Sequence, residues 1–267
     1  MPRAPLHDFL ARHPRLFVLT GAGCSTASGI PDYRDADGQW KHAPPTHYSA
    51  FIGHEAVRRR YWARSLIGWP RVQAAQPNAA HAALSNLERQ GRIELLVTQN
   101  VDGLHQAAGT RQIVDLHGRI DQVVCMSCAE RSARAALQVR LLRMNAPWGR
   151  LSALAAPDGD ADLEGLPFER FEVPPCERCG GILKPDVVFF GENVPRPRVD
   201  QAFDALARAD ALLVVGSSLM IYSGYRFAQA ASAAGLPIAA VNLGRTRADP
   251  LLTLKVSEPC AEALAGL

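Results

Sequence analysis

An apolar run that ends in a glycine-rich turn limits the fold of this chain more than any other stretch. Residues 16–19 are apolar throughout, and Thr20-Gly-Ala-Gly23 follows them directly. A short apolar run bounded by a turn is typical of a buried parallel strand. A Gly-Ala-Gly turn lets backbone N–H groups approach a phosphate with no Cβ in the way. We therefore predict a strand, a tight turn and a Ser/Thr-capped helical turn that bind the pyrophosphate of a dinucleotide.

The stretch after this turn is unusual for a dinucleotide site. The dehydrogenase fingerprint has a third glycine where this chain has Thr26, so a tight turn without a ligand is a second interpretation. Pro31 then interrupts the helical pattern within Gly29-Ile-Pro-Asp-Tyr-Arg34. Residues 32–34 are therefore expected on an irregular loop that covers a bound cofactor and carries chemistry.

Length and charge exclude several classes of protein. With 267 residues and 48% hydrophobic content, the chain can bury a large core, as one domain or as one domain with an inserted module. The net charge of +3 is too small to indicate a nucleic-acid partner. No apolar run is long enough to predict a membrane span, and the first residues lack a signal-peptide core. We expect a cytoplasmic monomer with no membrane or nucleic-acid partner.

Four of the six cysteines form two close pairs. Cys125-Met-Ser-Cys128 and Cys176-Glu-Arg-Cys179 are C-x-x-C motifs, and each can present two thiolates to one tetrahedral ion. Two separate redox sites are the alternative, but nothing thioredoxin-like surrounds either pair. Four thiolates leave no open position on zinc, so the pattern predicts one structural Zn ion.

Apolar runs recur on both sides of the cysteine pairs, and helical patterns lie between several of them. The predicted parallel strands after residues 16–19 are residues 93–98, 113–116, 186–190, 211–215 and 237–241. The predicted helices are residues 78–90 with Asn78 as N-cap, 132–144 with Ser132 as N-cap, 199–209 and 222–234. This alternation predicts an α/β fold with a doubly wound, Rossmann-like parallel sheet and a smaller inserted zinc-ribbon and helical module.

The expected domain boundaries follow from these elements. We assign residues 1–40, 71–118 and 184–267 to the nucleotide-binding domain, residues 41–70 to a helical part of the small lobe, and residues 119–183 to the zinc module. Polar or glycine clusters follow the predicted strands at residues 20–23, 98–102, 116–118, 190–192, 216–218 and 241–242. In a parallel sheet these clusters converge on one edge, where ligands bind.

Taken together, the motifs resemble those of the sirtuin family over nearly the whole chain and in the family's order. The residues that carry the resemblance are the Gly21-Ala-Gly23 turn with Ser25, Gly29-Ile-Pro-Asp-Tyr-Arg34, Thr98-Gln-Asn-Val-Asp102, His117-Gly118, the two C-x-x-C pairs, the Lys184-Pro-Asp-Val-Val-Phe-Phe-Gly-Glu192 stretch and Gly216-Ser-Ser218. The chain is most similar to the class II group. Tyr61-Trp-Ala-Arg64 and Tyr222-Ser-Gly-Tyr-Arg226 are among the stretches that support this subgroup.

The resemblance implies an NAD-dependent protein deacylase in which NAD is a consumed co-substrate. The acyl oxygen of a modified lysine attacks the ribose carbon that bears nicotinamide and expels it. A base then activates the ribose hydroxyls, the acyl group moves onto the ribose, and water releases free lysine and O-acyl-ADP-ribose. His117 matches the family's base, and a side chain with an ordinary pKa near roughly 6.5 suits that role. Asn100 and Asp102 match its nicotinamide pocket.

The remaining site residues are implied by position in the same way. The residues implied to contact NAD are Gly21, Ala22, Gly23, Ser25, Ile30, Pro31, Asp32, Tyr33, Arg34, Gln99, Asn100, Asp102, Gly216, Ser217, Ser218, Asn242 and Cys260. Simple packing is an equal alternative for Cys260. The residues implied to bind the acylated peptide are Val187, Val188, Phe189, Phe190, Gly191 and Glu192, through strand addition and an apolar lysine tunnel.

Two hypotheses concern the acyl group. Sirtuins that prefer succinyl or malonyl lysine carry a Tyr-x-x-Arg pair, and Tyr61 and Arg64 have that spacing on one face of a predicted helix. We therefore expect Arg64 to bind acidic acyl chains, with a solvent-facing arginine as the alternative. The loop predicted over residues 146–175 is long for a zinc ribbon. We expect it to fold back towards the acyl tunnel, with an idle surface loop as the alternative.

Three other functions share parts of the pattern. An NAD oxidoreductase would use the same turn but normally has the third glycine. A zinc-ribbon nucleic-acid binder would carry more positive charge. Transfer of ADP-ribose to protein shares every step of the deacylase reaction up to the loss of nicotinamide.

Overall fold

The computed structural model describes residues 5–41, 45–163 and 165–267. The strands are β1 Leu16–Thr20, β2 Ile93–Thr98, β3 Ile113–Asp115, β4 Gly118–Cys125, β5 Arg131–Ala133, β6 Leu154–Ala156, β7 Asp160–Asp162, β8 Leu183–Val187, β9 Ala211–Val215, β10 Ile238–Val241 and β11 Leu254–Val256. The helices are α1 Pro5–Arg12, α2 Tyr48–Gly53, α3 Glu55–Ala74, α4 Ala79–Arg89, α5 Leu104–Ala107, α6 Arg134–Met144, α7 Arg196–Arg208, α8 Tyr222–Ala233 and α9 Cys260–Ala263.

A parallel sheet of six strands forms the core of the larger of the two lobes. Its strand order is β11-β10-β9-β1-β2-β3, and every pair is parallel. The central strands β1 and β9 are buried along their whole length. One face packs on α1, α4 and α9 and the other on α7 and α8, so both faces carry a hydrophobic core. The predicted doubly wound sheet is confirmed.

The strand order reverses beside β1, and this reversal positions the ligand site. The chain runs from β1 to β2 and β3 on one side, and β9, β10 and β11 lie on the other. The loops after β1 and β9 therefore leave the sheet side by side, which is where α/β sheets bind ligands. The predicted Ser/Thr-capped helical turn is wrong in detail. Residues 22–24 and 26–28 form two 3₁₀ turns, and neither has a side-chain cap.

A smaller antiparallel sheet forms the core of the inserted lobe. It has the order β5-β4-β8, and it packs against α2, α3 and α6. The prediction of a parallel strand over residues 186–190 is wrong, because the strand is β8, Leu183–Val187, which runs antiparallel to β4. The apolar run misled the prediction because the strand itself contains the buried Lys184, which an ion pair of 3.1 Å with Glu192 stabilises.

The segment between the cysteine pairs is more ordered than its composition indicates. Ser132 is not a helix N-cap, because it lies in β5 opposite Val123 of β4, and α6 begins at Arg134. Within the predicted loop of residues 146–175, β6 and β7 form a short antiparallel hairpin that packs on α3. The other predicted helices are confirmed within three residues at each end, and Asn78 caps α4 by accepting a hydrogen bond from the Ala80 N–H, at 2.9 Å.

None of the helices in the described ranges is long and apolar enough to span a bilayer. The assignment of residues 1–40, 41–70, 71–118, 119–183 and 184–267 to separate domains stays a prediction. Residues 1–4, 42–44 and 164 of those ranges lie outside the described residues.

Candidate active site

One cavity of about 1030 Å³ lies between the carboxyl edge of the parallel sheet and the small lobe. The loops after β1, β2, β3, β9 and β10 all contribute to its wall, as the strand-end clusters predict. The predicted nucleotide-site residues in this wall are Gly21, Ala22, Gly23, Asp32, Tyr33, Arg34, Gln99, Asn100, His117, Gly216, Ser217, Ser218, Asn242 and Cys260. The cavity volume is in the upper range for small-molecule sites, which suits an extended ligand.

Four predicted residues do not line the cavity: Ser25, Ile30, Pro31 and Asp102. Two of them orient Asn100 from behind. The Asn100 side-chain amide donates to Ser25 Oγ at 3.0 Å, and Ser25 Oγ donates to Asp102 Oδ2 at 2.7 Å. The same amide donates to the Gly21 carbonyl at 3.0 Å. The Asp102 carboxylate therefore helps to fix the orientation of Asn100, through Ser25, although it does not line the cavity itself.

The glycines of the turn after β1 are required by close packing against the loop after β9. A Cβ on Gly21 would lie 2.7 Å from Ser217 Cβ and 2.9 Å from the Gly216 carbonyl oxygen. Gly216 itself has φ +63°, and a Cβ there would collide with the Cys24 backbone nitrogen. The two loops therefore pack backbone against backbone where they line the cavity, and the Gly23 N–H donates to the Gly216 carbonyl oxygen at 2.8 Å. Such a cradle fits the pyrophosphate of NAD.

A buried polar layer supports this cradle from beneath. Thr20 Oγ1 donates to Thr98 Oγ1 at 2.8 Å and lies 2.9 Å from His105 Nε2. The Asn78 backbone N–H donates to His81 Nδ1, which places the His81 proton on Nε2, directed at Cys24 Sγ 4.0 Å away. Burial lowers the pKa of both histidines and raises that of the Cys24 thiol, so these side chains are neutral near pH 7.

His117 follows β3 and lies in the wall shared by the sheet edge and the small lobe. Its Nδ1 is 3.0 Å from the Gln99 carbonyl oxygen, which can only accept, so Nδ1 carries the proton. Nε2 therefore bears the lone pair and is the nitrogen that can act as a base. Burial lowers the pKa of His117 from 6.5 to about 4, and the imidazole is neutral over the physiological range.

Ser223 is a site residue that the sequence analysis did not identify. Its hydroxyl, at the start of α8, lies 2.8 Å from His117 Nε2 and lines the same cavity. Because Nε2 bears no proton in this tautomer, the Ser223 hydroxyl donates to it. The only sequence signal was its place in Tyr222-Ser-Gly-Tyr-Arg226, a stretch to which the prediction gave no chemical role.

The predicted cofactor loop is held by its own side chains. The Arg34 guanidinium stacks 3.8 Å from the centre of the Trp40 ring and donates to the Gly38 carbonyl oxygen at 2.7 Å. Asp32 forms an ion pair of 2.5 Å with Lys41 across the base of the loop. Arg34 and Asp32 thus fix the conformation of the loop through contacts within it.

The predicted peptide-binding residues 187–192 form the wall of the cavity opposite the sheet. The Val188 N–H donates to the His117 carbonyl oxygen at 2.7 Å, so this segment is fixed directly to the candidate base. Glu192 stabilises the conformation of this segment. Its carboxylate accepts a hydrogen bond from the Phe189 N–H at 2.9 Å and forms an ion pair with Lys184. Phe189 is buried, and Phe190 packs edge-on against Trp40.

Tyr61 and Arg64 both lie on α3 and line the cavity, as their spacing predicts. Arg64 forms a bidentate ion pair with Asp160 of β7, with Nε–Oδ1 at 2.7 Å and Nη2–Oδ2 at 2.8 Å. The partner of Arg64 is a residue for which the sequence analysis had proposed no role. The hairpin that carries it also places Ala156 and Pro157 in the cavity wall.

The two cysteine pairs come together at the far end of the small lobe. The four Sγ atoms lie within 4.8 Å of one another, with Cys125–Cys179 at 3.4 Å and Cys128–Cys176 at 3.8 Å. Zn–S bonds of about 2.3 Å in a tetrahedron separate sulfurs by roughly 3.8 Å, so the cluster fits one zinc ion. Cys125, Cys128, Cys176 and Cys179 form a closed site, and the role of the metal is structural.

Comparison with known proteins gives a single family. The chain matches the Sir2 family over residues 21–223. A protein of Bordetella bronchiseptica named NAD-dependent protein deacetylase is 65% identical over 260 residues, which covers 97% of this chain and 95% of that protein. A protein of Bradyrhizobium diazoefficiens named NAD-dependent protein deacetylase 2 is 64% identical over 262 residues, covering 98% of this chain and 96% of its own length.

Solved structures give the same result. A Sir2 complex with a p53 peptide and NAD+ has a TM-score of 0.78 at 30% identity and covers 99% of this chain and 96% of that chain. A Sir2 variant with a deacetylated p53 peptide and 3′-O-acetyl ADP ribose has a TM-score of 0.78 at 30% identity, covering 97% of this chain and 94% of its own.

Proposed function

The chain belongs to the Sir2 family, and on that premise we propose that it is an NAD-dependent protein-lysine deacylase. It removes the acyl group from a modified lysine, with release of nicotinamide and O-acyl-ADP-ribose. The relatives of nearly equal length are named for deacetylation and not for transfer of ADP-ribose to protein. Deacylation is therefore favoured over that alternative.

One observation carries the proposal: the position and tautomer of His117. The residue lies where the nucleotide cradle and the peptide-binding segment meet, and its Nε2 lone pair is held in the cavity by the hydrogen bond from Nδ1–H to Gln99. A neutral imidazole in that place can take a proton from a ribose hydroxyl of NAD. The low pKa of His117, about 4, keeps the base unprotonated.

The other residues of the site bind and orient the two substrates. The loops after β1 and β9, which Gly21 and Gly216 allow to pack together, would hold the pyrophosphate, and Asn100 would orient the nicotinamide carboxamide. The segment of residues 187–190 would pair with the backbone of the acylated peptide, so the preference for peptide sequence would be weak. A monomeric and cytoplasmic state stays a prediction from sequence.

The test is to incubate the purified protein with NAD and an acetyl-lysine peptide. We expect nicotinamide and O-acetyl-ADP-ribose in equal amounts by mass spectrometry, and no absorbance of NADH. His117→Ala is expected to lower deacylation by roughly 10²–10⁴-fold, the usual contribution of a general base. It should largely spare the exchange of labelled nicotinamide into NAD, because that step precedes proton removal.

His54→Ala is the matched control, since His54 is an exposed histidine of the small lobe outside the cavity. We expect wild-type rates from it in both assays. NADH formation, or ADP-ribose attached to protein without loss of the acyl group, would contradict the proposal.

A further inference from the structure

The ion pair between Arg64 and Asp160 places a fixed negative charge beside a cation in the wall of the cavity. Both N–H groups of Arg64 that face Asp160 are used in the bidentate contact, and the two side chains are 17% and 38% exposed. Asp160 Oδ1 also accepts from the Ala161 N–H at 2.8 Å, which holds the carboxylate in place. The guanidinium is therefore neutralised by the chain itself.

The hairpin that carries Asp160 is seated on α3 by close backbone packing. A Cβ on Gly68 of α3 would collide with the carbonyl oxygens of Gly159 and Asp160. Gly159 has φ +69°, and a Cβ there would lie 3.2 Å from Ile120 Cδ1 and 3.3 Å from Trp69 Cα. The position of Asp160 is thus set by the packing of the hairpin, and not by a flexible surface contact.

The surroundings of this ion pair determine which acyl groups the cavity can accept. Arg64 and Asp160 line the same cavity as the apolar residues Ile120, Val187 and Phe189, and Ile120 Cδ1 lies against the hairpin at Gly159. An unpaired charge in such a wall is costly, whereas a neutral pair is tolerated. An acyl chain with a terminal carboxylate would have to displace Asp160 from Arg64 or lie next to a like charge.

On the basis of the proposed deacylase function, we propose that Asp160 is an internal counter-charge that excludes acidic acyl groups and directs the enzyme to neutral ones. Arg64 alone would attract a succinyl or glutaryl carboxylate, as its spacing with Tyr61 suggested. With Asp160 in place, that attraction is already satisfied within the protein. The preferred substrates are lysines that carry uncharged acyl chains, such as acetyl or butyryl.

The test compares kcat/KM for butyryl-lysine and succinyl-lysine peptides by the release of nicotinamide. The wild type is expected to favour the butyryl peptide. Asp160→Asn, which keeps the shape and removes the charge, is expected to raise the succinyl-to-butyryl ratio at least about tenfold, as for a newly available charge-assisted contact. Adding Arg64→Met to that variant should return the ratio to near the wild-type value.

Asp162→Asn is the matched control, because Asp162 is exposed on the same hairpin outside the cavity wall, and it should leave the ratio unchanged. A second measurement needs no variant. The wild type should process lysine acylated with the neutral succinamide at least about tenfold faster than succinyl-lysine of the same shape.

An unchanged ratio in a folded Asp160→Asn protein, or equal rates with the succinamide and succinyl peptides, would overturn the inference. A wild type that prefers the succinyl peptide would do so as well. Failure of the proposed function looks different, since no peptide would then release nicotinamide from NAD.

Discussion

The two sides of the cavity are built in different ways. On the sheet side, backbone meets backbone: Gly21 and Gly216 bring two loops into contact, and the Thr20 and Thr98 hydroxyls hydrogen-bond beneath them. On the lobe side, single side-chain pairs joined across long stretches of chain define the wall, above all Arg64 with Asp160. We infer that the sheet side determines how NAD binds and that the lobe side determines which acyl group is accepted.

This difference has a physical reason. A phosphate cradle needs close approach of the backbone, and few residues other than glycine permit it, so changes on the sheet side are severely restricted. A pocket for an acyl chain needs only a complementary surface, and a single charge on a hairpin changes its preference. Specificity can therefore change on the lobe side while the nucleotide chemistry stays the same.

Removal of zinc is expected to give the largest difference in stability between the lobe side and the sheet side. We expect chelation, or Cys128→Ser, to lower the free energy of unfolding of the lobe by more than about 3 kcal/mol, because structural zinc ions contribute roughly 10–16 kcal/mol in small domains. All four tryptophans lie outside the parallel sheet, at residues 40, 62, 69 and 148, so their fluorescence reports on the lobe and the cofactor loop.

The expected result is an early thermal transition in tryptophan fluorescence, with circular dichroism retaining the signal of the parallel sheet. Arg178→Ala is the control. This residue lies in the second cysteine turn and is exposed, and its substitution removes a surface ion pair with Glu130, so we expect the unfolding transition of the wild type. A single transition shared by both probes would show that the two sides unfold as one unit.

The sheet side is also the side that the sequence predicts well. The strand–glycine–loop pattern at Gly21 and Gly23, the clusters at the strand ends and the position of His117 all follow from the rule that parallel strands end at one edge. The cysteine spacing predicts the zinc site equally well, because tetrahedral coordination requires that arrangement. In each case the spacing of residues in the sequence directly determines how their backbone or side chains are arranged in space.

The sheet side should also make the protein sensitive to acid. His81, His105 and His117 have lowered pKa values because they are buried, and that of His117 is about 4. The unfolded chain, with histidine pKa near roughly 6.5, binds more protons between pH 6.5 and pH 4, so stability is complete above that range and falls as the pH drops through it. His117 alone should cost about 2 kcal/mol between pH 7 and pH 5.

Urea unfolding at a series of pH values measures this loss. His117→Gln should make the slope of unfolding free energy against pH smaller in this range, because one buried neutral histidine is removed. A slope that is the same in the variant and the wild type would mean that His117 is not held neutral by burial.

The lobe side was predicted less well, and the reasons are specific. The antiparallel strand β8 contains the buried Lys184, whose charge is neutralised by Glu192 eight positions later. A search for apolar runs does not detect a strand that contains a buried lysine. Asp160 on this side, like Ser223 on the sheet side, is a single polar residue in unremarkable local sequence. Their partners Arg64 and His117 lie 96 and 106 positions away. Only the packing of the chain brings such pairs together.

Ser223 gives the smallest effect, and it tests how finely the sheet side positions its base. Ser223→Ala should lower kcat for deacylation roughly threefold to tenfold, the worth of one hydrogen bond, because His117 keeps only its contact with Gln99. The KM for NAD and the exchange of nicotinamide should change little. Since the Ser223 hydroxyl donates to the neutral imidazole, its loss should raise the pKa of His117 and move the acid limb of the pH profile upward.

Ser223→Thr keeps the hydroxyl and should restore both the rate and the pH profile. Ser232→Ala, on the exposed end of the same helix, should behave as the wild type. A merely structural serine would affect folding without moving the pH profile, and a profile unchanged in Ser223→Ala would assign it that role. A shifted profile would mean that Ser223, a side chain of α8, sets the pKa of His117, although the backbone of the sheet side tolerates few changes.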